Sequence, residues 1–230
     1  MNIEKIILDM KDSAEDMAKY KGVLDYLAIA EGGKIHYNST EKDITSGRGI
    51  YRYINKGVIW DYVDTVAKSI GIMIPSVSWD KDELDKINKN INPDIMEYLE
   101  YLFYKQYYAN IHLDEFPASI QPTVASIYAN TVVGAIKSIQ FAAKTMHKMD
   151  KKYLGLQDNE ISEVDGRMGD NTRKAIKSLA GKDKIVHDLF ETLMALYAAF
   201  NHGSLVAGNP EKFLVYLKGW MNRDIGMITA

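Results

Sequence analysis

Apolar residues at Ile3, Ile6, Ile7, Met10, Ala14, Met17 and Ala18 recur at steps of three and four, the spacing of one helix face. The pattern predicts an amphipathic helix from Ile3 to Ala30. Gly22 is its expected division, followed by a more apolar piece holding Val23, Leu24, Leu27, Ala28 and Ile29. Gly32 and Gly33 supply the left-handed backbone that ends helices, so Glu31 falls in the last turn or at the cap. From residue 34 to 51 the chain turns polar and glycine-rich, with Ile35, Tyr37, Ile44, Ile50 and Tyr51 spaced through it. That alternation predicts a small hairpin or a three-stranded ribbon.

Helical spacing returns between Lys56 and Ile70 through Ile59, Tyr62, Val63, Val66 and Ala67, with Gly71 as the stop. Pro75 to Asp80 reads as a connector, Asp80 as the cap of a short helix to Asn88, and Pro93 as the start of another through Met96, Leu99, Leu102, Phe103 and Tyr107. Asp114 to Pro122 carries two of the five prolines and is the expected hinge between two lobes, 1–114 and 115–230. Beyond it, Val124–Thr131 and Ala135–Met149 read as helices with Gly134 between them as a bend or close-packing point. Ile139, Phe141 and Met146 are their expected core. Gly155 to Gly169 is a polar loop, Asp170 the expected cap of a helix holding Ala175, Ile176 and Leu179, and Ile185–Phe200 is strongly apolar. Pro210 starts an expected final helix whose Phe213 and Trp220 read as core. The fold class is therefore mainly α, an α+β chain with one small β-hairpin or ribbon near residues 34–51 and an all-helical C-terminal lobe.

Composition narrows the chemistry. With 230 residues, 47% hydrophobic and 26% charged, the chain has the make-up of an ordinary globular protein with a sizeable core. It has no cysteine, which excludes disulfides, thiolate metal ligands and a cysteine nucleophile. A net charge of -3 gives no electrostatic footprint for nucleic acid. Lys144, Lys148, Lys151 and Lys152 cluster, but beside Asp150 and Asp158, as on a solvated face. Five histidines are scattered without an HExxH pattern, so neither a metal nor another cofactor is expected. Gly166 to Lys174 lacks the adjacent Gly-Lys-Ser/Thr of a phosphate loop. The N-terminal segment has acids by Glu4 and only a short apolar run, Ile6 to Met10, unlike a secretory signal. No stretch approaches the roughly 20 apolar residues of a membrane span.

The order of motifs resembles that of the glycoside hydrolase family 108 muramidases. Glu31-Gly32-Gly33 is similar to that family's helix ending in Glu-Gly-Gly, and Thr45-Ser46-Gly47-Arg48-Gly49-Ile50 to the Thr-containing turn after its hairpin. Phe103-Tyr104-Lys105-Gln106-Tyr107-Tyr108 looks like its aromatic helix. Asp165-Gly166-Arg167-Met168-Gly169-Asp170-Asn171-Thr172 resembles the Asp-Gly turn of its C-terminal peptidoglycan-binding region, and Gly219-Trp220-Met221-Asn222-Arg223 that region's closing motif. The hairpin departs from the family: Glu41-Lys42-Asp43-Ile44 stands where an Asp-Pro and a Gly-Gly are usual. The resemblance implies a lysozyme-like catalytic lobe and a C-terminal lobe that binds peptidoglycan. It also implies a muramidase of phage endolysin or wall-remodelling type, monomeric, made in the cytoplasm, acting on the cell wall, and exported by a separate pore or secretion system.

Cleavage between N-acetylmuramic acid and N-acetylglucosamine needs a proton donor at the leaving oxygen and stabilisation of an oxocarbenium-like centre. Glu31 is the expected general acid, because apolar neighbours and the negative end of a helix dipole favour the neutral carboxyl. Asp43 or Glu41 can activate a water that Thr45 or Ser46 orients, although such acids are more commonly solvated hairpin charges, and such hydroxyls are equally turn formers. Tyr37, Tyr51 and Tyr104 are candidate sugar-stacking residues, as are Trp60, Tyr101, Tyr107 and Tyr108, though tyrosines at helical spacing more often belong to a core. Arg48 either holds substrate or pairs with a neighbouring acid. A lytic transglycosylase and a non-catalytic wall-binding or structural protein are the alternatives.

Overall fold

A computed structural model describes residues 2–39, 42–53, 55, 57–74 and 79–208, with backbone alone for residues 130 and 202–208. Glu41, the Pro75 connector and the expected final helix with Phe213 and Trp220 lie outside the described residues. The described chain is mainly helical, with nine α-helices and one two-stranded antiparallel sheet, as the hydrophobic spacing predicts. It forms two compact units, Met1–Tyr107 and Tyr108–Ala230. The expected hinge, Asp114 to Pro122, supplies part of a 3-10 turn and the first residues of a helix within the second unit. No helix among the described residues is long and apolar enough to cross a membrane.

In the first unit, α1 (Ile3–Asp12) is capped by Asn2, whose side chain accepts from the Lys5 N–H at 3.1 Å. The chain breaks at Ser13 and resumes as α2 (Ala14–Glu31). Gly22 does not divide it: Tyr20, Val23, Leu24 and Leu27 around it are all buried, and packing of that face outweighs the roughly 1 kcal/mol helical penalty of one glycine. Gly32, at φ 92°, ends α2, so Glu31 is its last residue. β1 (His36–Asn38) pairs with β2 (Asp43–Thr45) in the register His36 to Thr45, Tyr37 to Ile44 and Asn38 to Asp43, and Thr45 also bridges Tyr51. α3 (Val58–Ser69) buries Ile59, Trp60, Tyr62, Val63, Val66 and Ala67. In α4 (Lys81–Asn90) Asp80 and Glu83 form a reciprocal capping box, which satisfies two otherwise unpaired N–H groups. α5 (Pro93–Tyr107) packs against α1, α2 and α3 and buries Tyr98, Leu99, Glu100, Tyr101 and Tyr104.

The second unit opens with two 3-10 turns, Ala109–Ile111 and Leu113–Glu115, and continues as α6 (Gln121–Asn130) and α7 (Val132–Met149). Gly134 lies inside the first turn of α7 rather than between helices. Thr131 caps that turn by accepting from the Gly134 N–H at 3.2 Å, and a Cβ on Gly134 would fall 2.3 Å from the Thr131 methyl carbon. After a loop come α8 (Asp170–Ser178) and α9 (Lys184–Gly208). Gly169, not Asp170, occupies the cap of α8, and Asp170 is its first helical residue. α7 runs along α9, with Ile139, Ala142, Met146, Phe190, Met194 and Ala195 buried. Phe141 is half-buried and stacks on Tyr197 with centroids 4.7 Å apart. The Asp165-Gly166-Arg167 turn is gathered by the buried Gln140 amide. Its nitrogen donates to the Asp165 carboxylate at 2.8 Å and the Arg167 carbonyl at 2.9 Å, and its oxygen accepts from the Gly166 N–H at 2.9 Å.

Candidate functional site

The end of α2 and the turn after β2 are pressed together by two glycines. The Gly33 N–H donates to the Gly47 carbonyl at 3.0 Å, and a Cβ on Gly47 would fall 2.4 Å from the Gly33 carbonyl carbon. Only hydrogen fits there. The turn closes through Ser46, whose N–H donates to the Ile50 carbonyl at 3.0 Å and whose carbonyl accepts from the Gly49 N–H at 3.1 Å. Gly49 has a left-handed φ of 85°, and its missing Cβ would lie 3.1 Å from both Cγ and Cδ of Glu31. The half-buried Glu31 side chain thus rests on the bare backbone of Gly49.

Arg48, between those two glycines, is tied on every side. Its Nε donates to the Leu24 carbonyl in α2 at 2.8 Å, Nη2 to Glu97 at 2.7 Å, and Nη1 to Glu100, both on α5. The Tyr104 hydroxyl donates to the Arg48 carbonyl. The Arg48 side chain is 13% exposed, so the acid-pairing alternative for this residue is the one the geometry realises. Lys21 approaches Glu97 at 3.7 Å. Glu100 is 1% exposed. Burial pushes its carboxyl above the usual range, while the Arg48 charge and the Ser46 and Arg48 hydrogen bonds draw it back. The Tyr104 phenol is held well above its ordinary value by burial first and then by the negative charges of Glu100 and Glu31. Glu31, Tyr104, Arg48 and Glu100 therefore share one electrostatic neighbourhood.

The other expected residues lie in the same hairpin. Asp43 is buried and accepts from the Ile44 N–H at 2.8 Å and the Tyr53 N–H at 2.7 Å. Thr45 is 1% exposed, and its hydroxyl donates to the Ser46 carbonyl at 3.3 Å. Ser46 is fully buried, with its oxygen accepting from the Arg48 and Ile50 N–H groups, each at 3.3 Å. These three side chains hold the turn in shape. Tyr51 is half-buried and accepts from the Asn38 amide at 3.1 Å, whereas Tyr37 is exposed on β1.

Glu97 and Glu100 escape a reading by motif. The signal that finds them is their i, i+3 spacing on the α5 stripe that also carries Tyr101 and Tyr104. On the other side of α5, a cleft of about 400 Å³ is lined by Val58, Ile59, Leu99, Leu102 and Phe103, with Asn55 and Gln106 as its polar side chains. Phe103 meets Tyr104 edge to face at 5.2 Å and stacks on Tyr107 at 5.8 Å. Among the described residues no group of three or more His, Asp or Glu side chains is arranged to hold a metal. Compared with known proteins, the chain matches no family model, no curated protein and no solved structure.

Proposed function

We propose that the protein is a muramidase that hydrolyses the bond between N-acetylmuramic acid and N-acetylglucosamine in peptidoglycan, with Glu31 as general acid. The observation that carries this reading is the seat of Glu31. It is the last residue of α2, half-buried, and laid on the backbone of Gly49 in the turn after β2. A protonated Glu31 gives its proton to the glycosidic oxygen as the bond from that oxygen to C1 breaks. A water oxygen then bonds to C1 and releases one proton, so each cleavage consumes one water and creates one reducing end. The ring of Phe103 and the aliphatic floor of the neighbouring cleft suit the apolar faces of sugar rings, and Asn55 and Gln106 suit acetamido groups.

Release of reducing ends from purified peptidoglycan tests the assignment. Glu31→Gln is expected to lower the rate about 100- to 10,000-fold, the usual contribution of general acid catalysis. Full activity in that variant removes Glu31 from the mechanism. Asp43 favours a second reading, because both of its oxygens are committed to backbone N–H groups. A lytic transglycosylase needs one carboxylate and leaves anhydro ends without adding water. Mass spectrometry of the fragments separates the two, since hydrolysis products are heavier by one water. By the resemblance of its Asp165-Gly166 turn, the second unit binds wall polymer, and sedimentation of the full chain with insoluble peptidoglycan tests this.

A further inference from the structure

We propose that Arg48, clamped between Glu97 and Glu100, is a positioning residue that sets the Glu31 carboxyl through the backbone of Gly49. The inference rests on the muramidase reading for its catalytic consequence. Its structural basis is the concentration of tethers on one residue. The guanidinium joins a carbonyl of α2 to two carboxylates of α5, and the same residue's carbonyl takes the Tyr104 hydroxyl. On either side stand the glycines that touch the helix end: Gly47 against the Gly33 backbone and Gly49 against the Glu31 side chain. No side chain at either glycine cushions the contact. A displacement of Arg48 is therefore passed directly to the surface on which Glu31 rests.

The geometry is specific to arginine. One planar fork reaches three acceptors in fixed directions, which a lysine ammonium on a flexible stem cannot reproduce. Burial strengthens the case: Glu100 is 1% exposed, so its charge has a cost that the guanidinium offsets. The groups facing Glu100 are Arg48 and Ser46 from the turn and Glu97 and Tyr104 from its own helix, with the charge of Lys21 in α2 reaching Glu97. None of these needs to touch a sugar. Their combined effect is to fix where the proton donor stands relative to a bound glycosidic oxygen.

The test compares Arg48→Lys and the milder Glu97→Gln with Arg52→Lys. Arg52 pairs with Asp64 at 2.9 Å in the same unit and serves as a control for the general loss of an ion pair. Two readouts are taken: kcat and KM on soluble peptidoglycan fragments, and the carbon NMR resonance of the Glu31 carboxyl. Arg48→Lys is expected to lower kcat about 10- to 100-fold, the scale of an ångström's misplacement, with KM changed less than about 3-fold and the Glu31 resonance moved. Glu97→Gln is expected to do the same more weakly, and Arg52→Lys to leave both readouts at the parent values. An unchanged Glu31 resonance in folded Arg48→Lys and Glu97→Gln overturns the proposal, as does a kcat that falls only with the folded fraction. If the parent protein releases no reducing ends, the muramidase reading fails by itself, and the Glu31 resonance still decides whether Arg48 positions it.

Discussion

Gly49 is the platform on which the Glu31 carboxyl lies, with the position of its absent Cβ 3.1 Å from the carboxyl carbon. Two costs meet in Gly49→Ala: a left-handed φ of 85° that alanine adopts at about 1 to 2 kcal/mol, and a methyl group forced against Glu31. The variant is expected to unfold at a lower temperature than the parent. Its release of reducing ends is expected to fall further than its folded fraction. Thermal unfolding by circular dichroism and the reducing-end assay read the two effects separately.

Glu100 makes the stability of the first unit depend on pH. Its folded carboxyl is raised, by burial first, above an ordinary value of 4.5, so around that pH the folded chain holds more protons than the unfolded one. Stability then declines as pH rises from about 4.5 until Glu100 has ionised in the folded state, and it is flat with respect to this group beyond. Glu100→Gln keeps an acceptor for Arg48 and removes the titration. Urea unfolding across pH 4 to 8 is expected to show a shallower decline for this variant than for the parent. Glu100→Ala takes one acceptor from Arg48, which keeps Glu97 and the Leu24 carbonyl, and is expected to cost about 1 to 3 kcal/mol at neutral pH.

The helices were legible because burial and periodicity coincide in them. Val63, Val66 and Ala67 in α3, or Ile139 and Met146 in α7, are buried and fall on the stripes that their spacing defines. Gly32 and Asp80 marked ends because local chemistry alone decides such positions. The Ser13 break and the intact helix across Gly22 were not legible, since they depend on which face of α2 meets α5. Nor was the interior role of Ser46 and Arg48. Glu100 lies 52 residues from Arg48 in the chain, and neither residue type reveals the other's position. Glu31 stands out in the sequence by its place before two glycines, but the Gly49 surface against it follows only from the packing of the turn.

In the second unit the Asp165-Gly166-Arg167 turn depends on Gln140, which is 1% exposed and makes its bonds to side chain and backbone alike. Gln140→Leu has similar bulk but takes from the Gly166 N–H its acceptor, while the Arg167 carbonyl keeps the Gly169 N–H at 2.9 Å. A loss of about 1 to 3 kcal/mol is expected from one such group. Amide exchange at Gly166 in that variant is expected to accelerate well beyond exchange in the centre of α7. Equal acceleration at both places would show that the turn is held by something other than the amide.

Phe103 connects the cleft to Tyr104, and its ring lies at 13° to that of Tyr107. If sugar rings are received on this floor, the residue contributes to binding more than to proton transfer, because it bears no titratable group. Phe103→Ala is expected to raise KM for soluble peptidoglycan fragments several-fold while kcat stays within about 3-fold, the pattern of lost uniform binding. Phe103→Leu keeps an apolar filling but no flat face, and is expected to fall between the parent and alanine. A kcat that collapses with KM unchanged would instead assign Phe103 to holding Tyr104 in place, and steady-state kinetics of the two variants separates these outcomes.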